Sequence, residues 1–146
     1  MSLSIRDFTV EDIQTVSRLE TEFFQAPWSE TMLFSACSRS DFFGVVAVDG
    51  EETVGYVFGT SLFEESELNR IAVLKNRRGE KIGGKLLDAF INKAKSLGAE
   101  RMFLEVRIHN VCALRLYESR GFERLRVRKK YYPDGEDAFD MKKQLK

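Results

Sequence analysis

The sequence is poor in the residues that mark several common protein classes. It has two cysteines, Cys37 and Cys112, which lie far apart and match no metal-ligand spacing. Its single histidine is His109, and it has only two prolines and no low-complexity tract that would mark a linker. These shortages predict no metal site and favour a reduced cytosolic setting.

A net charge and a long apolar run are also missing. Lys plus Arg equals Asp plus Glu at 23 each, and this balance argues against a general nucleic-acid binder. No apolar run approaches the length of a membrane span, and the charged residues within positions 1–12 are unlike a signal peptide. The 43% hydrophobic and 32% charged residues predict a soluble globular protein, and 146 residues fit a single domain, 1–146.

The stretch 71–87 combines a short apolar strand, a basic loop that contains glycine, and the start of an amphipathic helix. The first N–H groups of a helix lack intrahelical partners, and the helix dipole favours negative charge there. Gly79, Gly83 and Gly84 would let a phosphate approach the backbone closely. The stretch is therefore a candidate phosphate-binding loop. Positive charge around this loop comes from Arg77, Arg78, Lys81 and Lys85.

The same stretch also has an ordinary structural explanation. Strand–loop–helix connections with glycines are common, and basic loop residues are usually solvated. The spacing fits neither the P-loop, which needs Gly-Lys-Ser/Thr, nor the G-x-G-x-x-G dinucleotide motif. From these residues alone, the phosphate site and the plain connection are about equally supported.

The whole chain predicts the element order β-α-α-β-β-β-α-β-α-β-β. Thr9 with Asp12 is a capping box for a first helix that carries apolar residues from Val10 to Phe23, and Ser29 caps a second helix. A helix that ends near Leu97 precedes Gly98, and one that starts at Asn110 is terminated by Gly121. Strands are predicted at 4–8, 42–48, 53–62, 67–73, 101–106, 122–129 and 138–145, with turns at 49–50, 64–66 and 131–135.

This order predicts an α/β (α+β) fold. Three hairpin-linked strands followed by two strand–helix units imply a mixed, mostly antiparallel sheet of about six to seven strands with helices on both faces. A cofactor should bind at the carboxyl ends of strands where the connectivity changes, which is where the 71–87 stretch lies.

The 71–87 stretch, together with two later segments at 104–110 and 113–122, resembles the GNAT superfamily of acetyl-CoA-dependent N-acetyltransferases. The resemblance extends over essentially the whole chain. The family's loop pattern, Gln/Arg-x-x-Gly-x-Gly/Ala, is matched by residues 78–83. The family's coenzyme A-side helix is matched by Asn110, Ala113, Tyr117, Gly121 and Phe122.

The resemblance implies a GNAT fold and a binding site for acetyl-CoA, with no metal and no covalent enzyme intermediate. Loop N–H groups would bind the coenzyme A pyrophosphate, and strand 71–73, splayed from strand 104–106 at a bulge, would bind the pantetheine arm and the thioester oxygen. The implied cofactor-binding residues are Ile71, Ala72, Val73, Arg78, Gly79, Glu80, Lys81, Ile82, Gly83, Gly84 and Asn110.

Within this family the chain looks closest to the RimI group, which acetylates the N-terminal alanine of a small-subunit ribosomal protein. The resemblance implies a protein N-terminus as acceptor, a ribosomal protein as partner, and a monomeric cytoplasmic enzyme with no direct nucleic-acid or membrane partner. Two alternatives stay open: acetylation of a small amine or a lysine side chain, and a non-catalytic acyl-CoA-binding module. The segments that carry this resemblance are 26–29, 71–73, 104–107, 116–119, 121–122, 131–133 and 135–138.

Two residues can supply the proton transfers of acetyl transfer. An N-terminal α-ammonium has a pKa of about 7.7–8.0 and must lose a proton before it attacks a thioester, so the strand-end carboxylate Glu105 is the candidate general base. A phenol with a pKa of about 10 can protonate a leaving thiolate, so Tyr117 is the candidate general acid. The alternative for Glu105 is a carboxylate that is solvated or paired with Arg107, and the alternative for Tyr117 is an aromatic residue packed in the core.

Trp28, Tyr131 and Tyr132 lie in segments that flank the acceptor entrance in related enzymes, and we predict that they bind substrate. The alternative for Trp28 is that it anchors the first two helices to the sheet. The chain also departs from the family pattern at two places. Lys81 stands where a loop glycine is usual, and its N–H could donate to a phosphate only if its φ is negative. Arg70, after Asn69, departs from the pair that is usual in the RimI group.

Overall fold

The structure, a computed structural model, describes residues 2–146 and has the predicted element order. Two short 3₁₀ turns, Val10–Asp12 and Lys75–Arg77, precede α1 and α3. The helices are α1 (Ile13–Phe23), α2 (Glu30–Cys37), α3 (Ile82–Ser96) and α4 (Val111–Ser119). The strands are β1 (Leu3–Asp7), β2 (Phe42–Asp49), β3 (Glu52–Leu62), β4 (Glu65–Val73), β5 (Arg101–Arg107), β6 (Glu123–Arg128) and β7 (Ala138–Gln144).

The strands form one seven-stranded sheet in the order β1-β2-β3-β4-β5-β7-β6. Every neighbouring pair is antiparallel except β4 and β5, which are parallel over three residue pairs from Glu65↔Arg101 to Glu67↔Phe103. The β3–β4 register shifts beside Asn69, so this residue forms a bulge two residues after the last pair between β4 and β5. The predicted mixed, mostly antiparallel sheet and its splayed pair of strands are confirmed.

Local sequence signals account for most helix ends. The Thr9 N–H donates to Asp12 at 2.8 Å, and the Ser29 hydroxyl accepts from the Met32 N–H at 3.1 Å, so both predicted N-terminal caps are present. The Asn110 side chain accepts from the Ala113 N–H at 3.2 Å at the start of α4. The Thr9 cap fixes the start of the 3₁₀ turn that leads into α1, and the other two caps fix where α2 and α4 begin.

Two apolar clusters cover the two faces of the sheet. On one face, α3 and α4 pack on all the central strands, and Phe90 stacks on Phe43 with ring centroids 4.3 Å apart. On the other face, α1 and α2 pack on β2–β4 through Val16, Leu33 and Phe58. That second cluster contains no residue from β5, β6 or β7 among residues 2–146, so part of the second face is left without a helix.

Three local predictions were wrong. The turn predicted at 64–66 lies one residue earlier, because Leu62 pairs with Glu65 and Phe63 takes a positive φ of 55°. Val10, expected on the apolar face of the first helix, lies in a 3₁₀ turn and is 56% exposed. The strand at 122–129 was predicted without a bulge, whereas its register shifts beside Leu125, which is exposed.

A search of the helices within residues 2–146 finds none that is long and apolar enough to cross a membrane.

Candidate active site

β4 and β5 diverge after their third residue pair, and two adjoining cavities open there. The loop-side cavity, about 660 Å³, lies between β4, the loop that follows it and the start of α4. The tyrosine-side cavity, about 260 Å³, lies between β4, β5, the segment after α1 and the turn before β7. The cavities share four lining residues, Phe24, Ile71, Asn110 and Ala113, so ligands in the two cavities would meet there.

The loop-side cavity brings together most of the residues predicted to bind the cofactor. One wall is the end of β4, and the opposite wall is the loop and the first turn of α3. The predicted residues that line it are Ile71, Ala72, Val73, Arg78, Gly79, Lys81, Ile82, Gly83 and Asn110. Cys112, to which the sequence assigned no role, also lines it.

Two predicted loop residues lie outside this cavity lining. Glu80 pairs with Arg77, with Oε2 3.0 Å from the guanidinium Nε. Gly84 faces Arg120, because a Cβ built on this glycine would collide with a guanidinium nitrogen. Arg120 in turn pairs with Asp88 at 3.0 Å, so Gly84 makes room for a contact between α3 and the end of α4.

Lys81 takes the left-handed conformation, with φ of 65° and ψ of 20°. The negative φ that was set as the condition for its N–H to reach a phosphate is therefore not met. The chain keeps the loop geometry that a glycine would adopt and accepts about 1–2 kcal/mol of strain at a lysine. Its side chain still adds a positive charge to the cavity lining.

The conformation of Lys81 gives a stability prediction. Lys81→Gly should melt at a higher temperature than Lys81→Ala, because glycine adopts a positive φ without strain. Both variants remove the charge, so the pair isolates the backbone effect. A net difference of about 1 kcal/mol corresponds to roughly 3 °C, measured by calorimetry. Equal melting temperatures would contradict the conformation seen at this residue.

Glu105 lines the tyrosine-side cavity from β5. Burial raises the pKa of its carboxyl above the usual value, the nearby carboxylates Glu67 and Asp140 raise this pKa further, and Arg128 opposes the shift. Arg107, the alternative partner of Glu105, instead donates to Asp134 at 2.9 Å and to Glu136 at 2.8 Å. Arg107 therefore does not stabilise the charged form of Glu105. The raised pKa of this carboxyl suits it to accept a proton.

Tyr117 lines the same cavity from α4 and is only 5% exposed. Burial raises the pKa of its phenol well above the ordinary value, with a smaller contribution from Tyr132. The ring also packs edge-on against Phe122, with centroids 5.7 Å apart. Tyr117 is thus both a core aromatic and a phenol that keeps its proton at the cavity wall.

The three aromatic residues predicted to bind substrate are in different places. Tyr132 lines the tyrosine-side cavity under the Arg107 guanidinium, 4.0 Å from its ring centroid, and burial raises its pKa to about 12. Tyr131 is 46% exposed and lines neither cavity. Trp28 packs against Phe58 with centroids 5.0 Å apart, which is the anchoring role considered as its alternative.

The three arginines of β6, Arg124, Arg126 and Arg128, form ion pairs within the chain. Arg126 and Arg128 both donate to Asp140, at 2.6 and 2.7 Å. Arg124 donates to Glu118 at 3.0 Å. These ion pairs therefore connect β6, the edge strand of the sheet, to β7 and to α4.

No sequence pattern had pointed to a buried ionic network beside the tyrosine-side cavity. Glu20 of α1 is 0% exposed and accepts hydrogen bonds from the Tyr56 hydroxyl at 2.6 Å and from Arg70 Nε at 2.9 Å. The only available signals were a glutamate beside Leu19 on the apolar side of α1 and the unusual arginine on β4.

No group of three or more His, Cys, Asp or Glu side chains within residues 2–146 is arranged to hold a metal ion. The groups in the site that can take part in chemistry are a carboxyl group with a raised pKa, a protonated phenol, and a strand edge left without a partner where β4 leaves β5. Glu105 and Tyr117 line the tyrosine-side cavity, which adjoins the cavity that contains the basic loop, and Ile71 at the strand edge lines both cavities. Together these groups are suited to proton transfer and to the stabilisation of a developing negative charge on oxygen.

Comparisons with known proteins identify a family for this chain. The chain matches the Acetyltransferase (GNAT) family over residues 13–122. It is 34% identical to an uncharacterized N-acetyltransferase of Methanocaldococcus jannaschii over 139 residues, which is 94% of this chain and 88% of the relative. It is 30% identical to a putative ribosomal protein bS18-alanine N-acetyltransferase of Bacillus subtilis, over 94% of this chain and 93% of the relative.

A solved structure agrees with the sequence comparisons. The ribosomal-protein-S18-alanine N-acetyltransferase from Escherichia coli superposes with a TM-score of 0.90 at 27% identity, over 98% of this chain and 94% of that chain. The chain therefore belongs to the GNAT acetyltransferase family and is an acetyl-CoA-dependent N-acetyltransferase. The predicted GNAT fold and the resemblance to the RimI group are confirmed.

Proposed function

We propose that this protein acetylates the N-terminal α-amine of a protein, with the N-terminal alanine of a small-subunit ribosomal protein as the acceptor, in the cytoplasm. The observation that carries the proposal is that Glu105 and Tyr117 line one cavity where it joins a second cavity with a basic loop. The relatives named for ribosomal-protein-alanine acetylation support the choice of acceptor.

The loop-side cavity is the proposed binding site for acetyl-CoA, and its residues fit that group. Arg78 and Lys81 supply positive charge, and Gly79, with φ of 87°, keeps the loop backbone free of a Cβ. The first turn of α3 presents N–H groups without intrahelical partners, which suit a pyrophosphate. When bound there, acetyl-CoA would supply an activated acetyl group as a thioester.

The first proton transfer is assigned to Glu105. Its carboxylate, directly or through a water, takes one proton from the acceptor's α-ammonium, and the amine nitrogen then carries a free electron pair for attack on the thioester carbon. A raised pKa makes Glu105 a stronger base than an ordinary glutamate. The backbone N–H groups of Ile71–Val73 that face the side of β5, where β4 has no strand partner, would stabilise negative charge on the carbonyl oxygen during the attack.

The second proton transfer is assigned to Tyr117. As the new C–N bond forms and the C–S bond breaks, the electron pair of the broken bond stays on sulfur, and the phenol donates its proton to that sulfur. Burial keeps this phenol protonated until then. The nitrogen that has attacked must lose a second proton to become an amide, and this proton passes directly or through water to the Tyr117 phenolate, which restores the phenol. Direct transfer needs no acetylated side chain, so Cys112 in the cavity lining has no step to perform.

A peptide-panel assay read by mass spectrometry tests the proposal. The purified protein and acetyl-CoA are mixed with peptides that share one sequence and differ in the first residue, and with an α-blocked peptide that carries an internal lysine. We expect the acetyl group on the α-amine of the peptide that starts with alanine. Acetylation of only the blocked peptide or of small amines would instead favour the lysine or small-amine alternative.

A further inference from the structure

Arg70 connects the middle of β4 to the segment that links α1 to α2. Its Nη2 donates to the Ala26 carbonyl at 2.7 Å, and its guanidinium lies 3.9 Å from the centroid of the Phe24 ring. Its Nε donates to Glu20 at 2.9 Å. One side chain therefore holds the end of α1 and two positions of the following segment against the sheet.

Glu20 makes this attachment firm. A fully buried carboxylate is tolerated only when it is paired and hydrogen-bonded, and Glu20 has three donors. These are the Tyr56 hydroxyl, Arg70 Nε and the backbone N–H of Trp28, the last at 3.0 Å. The same carboxylate thus fixes Arg70 and the start of α2, so a planar guanidinium with several donors is held in one orientation.

The attached segment forms part of the cavity walls. Phe24, Gln25 and Ala26 line the tyrosine-side cavity together with Arg70 and Glu105. Phe24 also lines the loop-side cavity and therefore stands at the junction of the two. The position of its ring sets the width of that junction, and Arg70 covers one face of the ring.

We propose that Arg70 is a positioning residue for the acceptor: it holds residues 24–26 as a fixed wall that limits the size of the first acceptor side chain. This inference rests on the proposed function. Arg70 takes part in none of the proposed proton transfers and acts through the segment that it holds. A wall that is fixed before the acceptor arrives removes the cost of ordering it on binding.

The test compares three variants. Arg70→Met removes the hydrogen bonds of Arg70 to Glu20 and to the Ala26 carbonyl and keeps much of the side-chain length. Arg70→Lys keeps a positive charge beside Glu20, but an ammonium group cannot make both hydrogen bonds and also stack on the Phe24 ring. Arg124→Met is the matched control, because Arg124 also pairs with a carboxylate and lies over an aromatic ring, 4.6 Å from the Phe139 centroid, away from both cavities.

The kinetic measurement separates positioning from folding. In Arg70→Met we expect the KM for an alanine-starting peptide to rise roughly tenfold, which is about 1.4 kcal/mol, with the KM for acetyl-CoA changed less than about threefold. The preference in kcat/KM for that peptide over one that starts with phenylalanine should shrink. Arg70→Lys should show the same changes to a smaller extent, and Arg124→Met should match the wild type.

A second measurement follows the segment itself and requires no turnover. Trp28 is the only tryptophan, and it lies at the end of the attached segment, so acrylamide quenching of its fluorescence reports how firmly the segment is held. We expect stronger quenching in Arg70→Met than in Arg124→Met.

The two readouts keep the two proposals distinct. If the wild type acetylates no peptide α-amine, the proposed function fails, and quenching still decides whether Arg70 holds the segment. If the wild type acetylates peptides and Arg70→Met has wild-type acceptor KM, preference and quenching, the inference about Arg70 is overturned and the proposed function stands.

Discussion

Replacing Tyr117 with phenylalanine is expected to lower kcat by about 10²- to 10⁴-fold, because the leaving thiolate loses its proton donor. Phenylalanine keeps the ring that packs on Phe122, so the fold and the affinity for acetyl-CoA should stay close to those of the wild type. Thiol release under saturating substrates gives kcat, and calorimetric titration with acetyl-CoA gives the affinity.

Tyr131→Phe is the matched control for this experiment. It removes a phenol hydroxyl from an exposed residue that lines neither cavity, and its kcat should remain within about threefold of the wild type. Wild-type kcat in Tyr117→Phe would remove Tyr117 from the proton transfer and leave it a packing residue.

Replacing Glu105 with glutamine should lower kcat/KM near neutral pH by a comparable factor of about 10²- to 10⁴-fold. A base must be deprotonated to act, so activity falls as the pH drops through the pKa of Glu105. Because that pKa is raised, the acidic fall in the wild type should occur at a higher pH than for an ordinary glutamate. The glutamine variant has no such group and should lose this acidic limb.

Glu67→Gln is the control that tests the cause of the shift. Of the two carboxylates that raise the pKa of Glu105, Glu67 has the larger effect, so its removal should move the acidic limb to lower pH while activity near neutral pH is retained. An unchanged acidic limb in Glu105→Gln would assign that limb to another group.

The sequence was sufficient for the element order and most boundaries because local signals are strong there. Capping by Thr9, Ser29 and Asn110 is a contact between near neighbours, and it is present in the structure. The turn at Phe63 was misplaced because a phenylalanine with positive φ carries no turn signature, whereas the acidic residues after it do. The bulge beside Leu125 depends on the partner strand and leaves no mark in the alternation of β6.

Part of the candidate site could also be predicted from local sequence, and part could not. The loop and β4 are contiguous in sequence, so their joint position at one cavity was predictable from a motif. The pairing of Glu20 with Arg70 spans 50 positions and depends on how α1 crosses the sheet, which no local pattern specifies. Trp28 shows the opposite case, because a loop aromatic suggested ligand binding whereas Phe58 provides its packing partner.

The short parallel pairing has a mechanical consequence. Three residue pairs between β4 and β5 join two half-sheets, β1–β4 and β5–β7, whereas β2 and β3 alone share eight registered pairs. The proposed coenzyme site lies along this weak seam, where the backbone of Ile71–Val73 has no strand partner on the β5 side. A coenzyme bound there would contact both sides of this seam. The free energy of local opening between β4 and β5 would therefore increase with occupancy of the site.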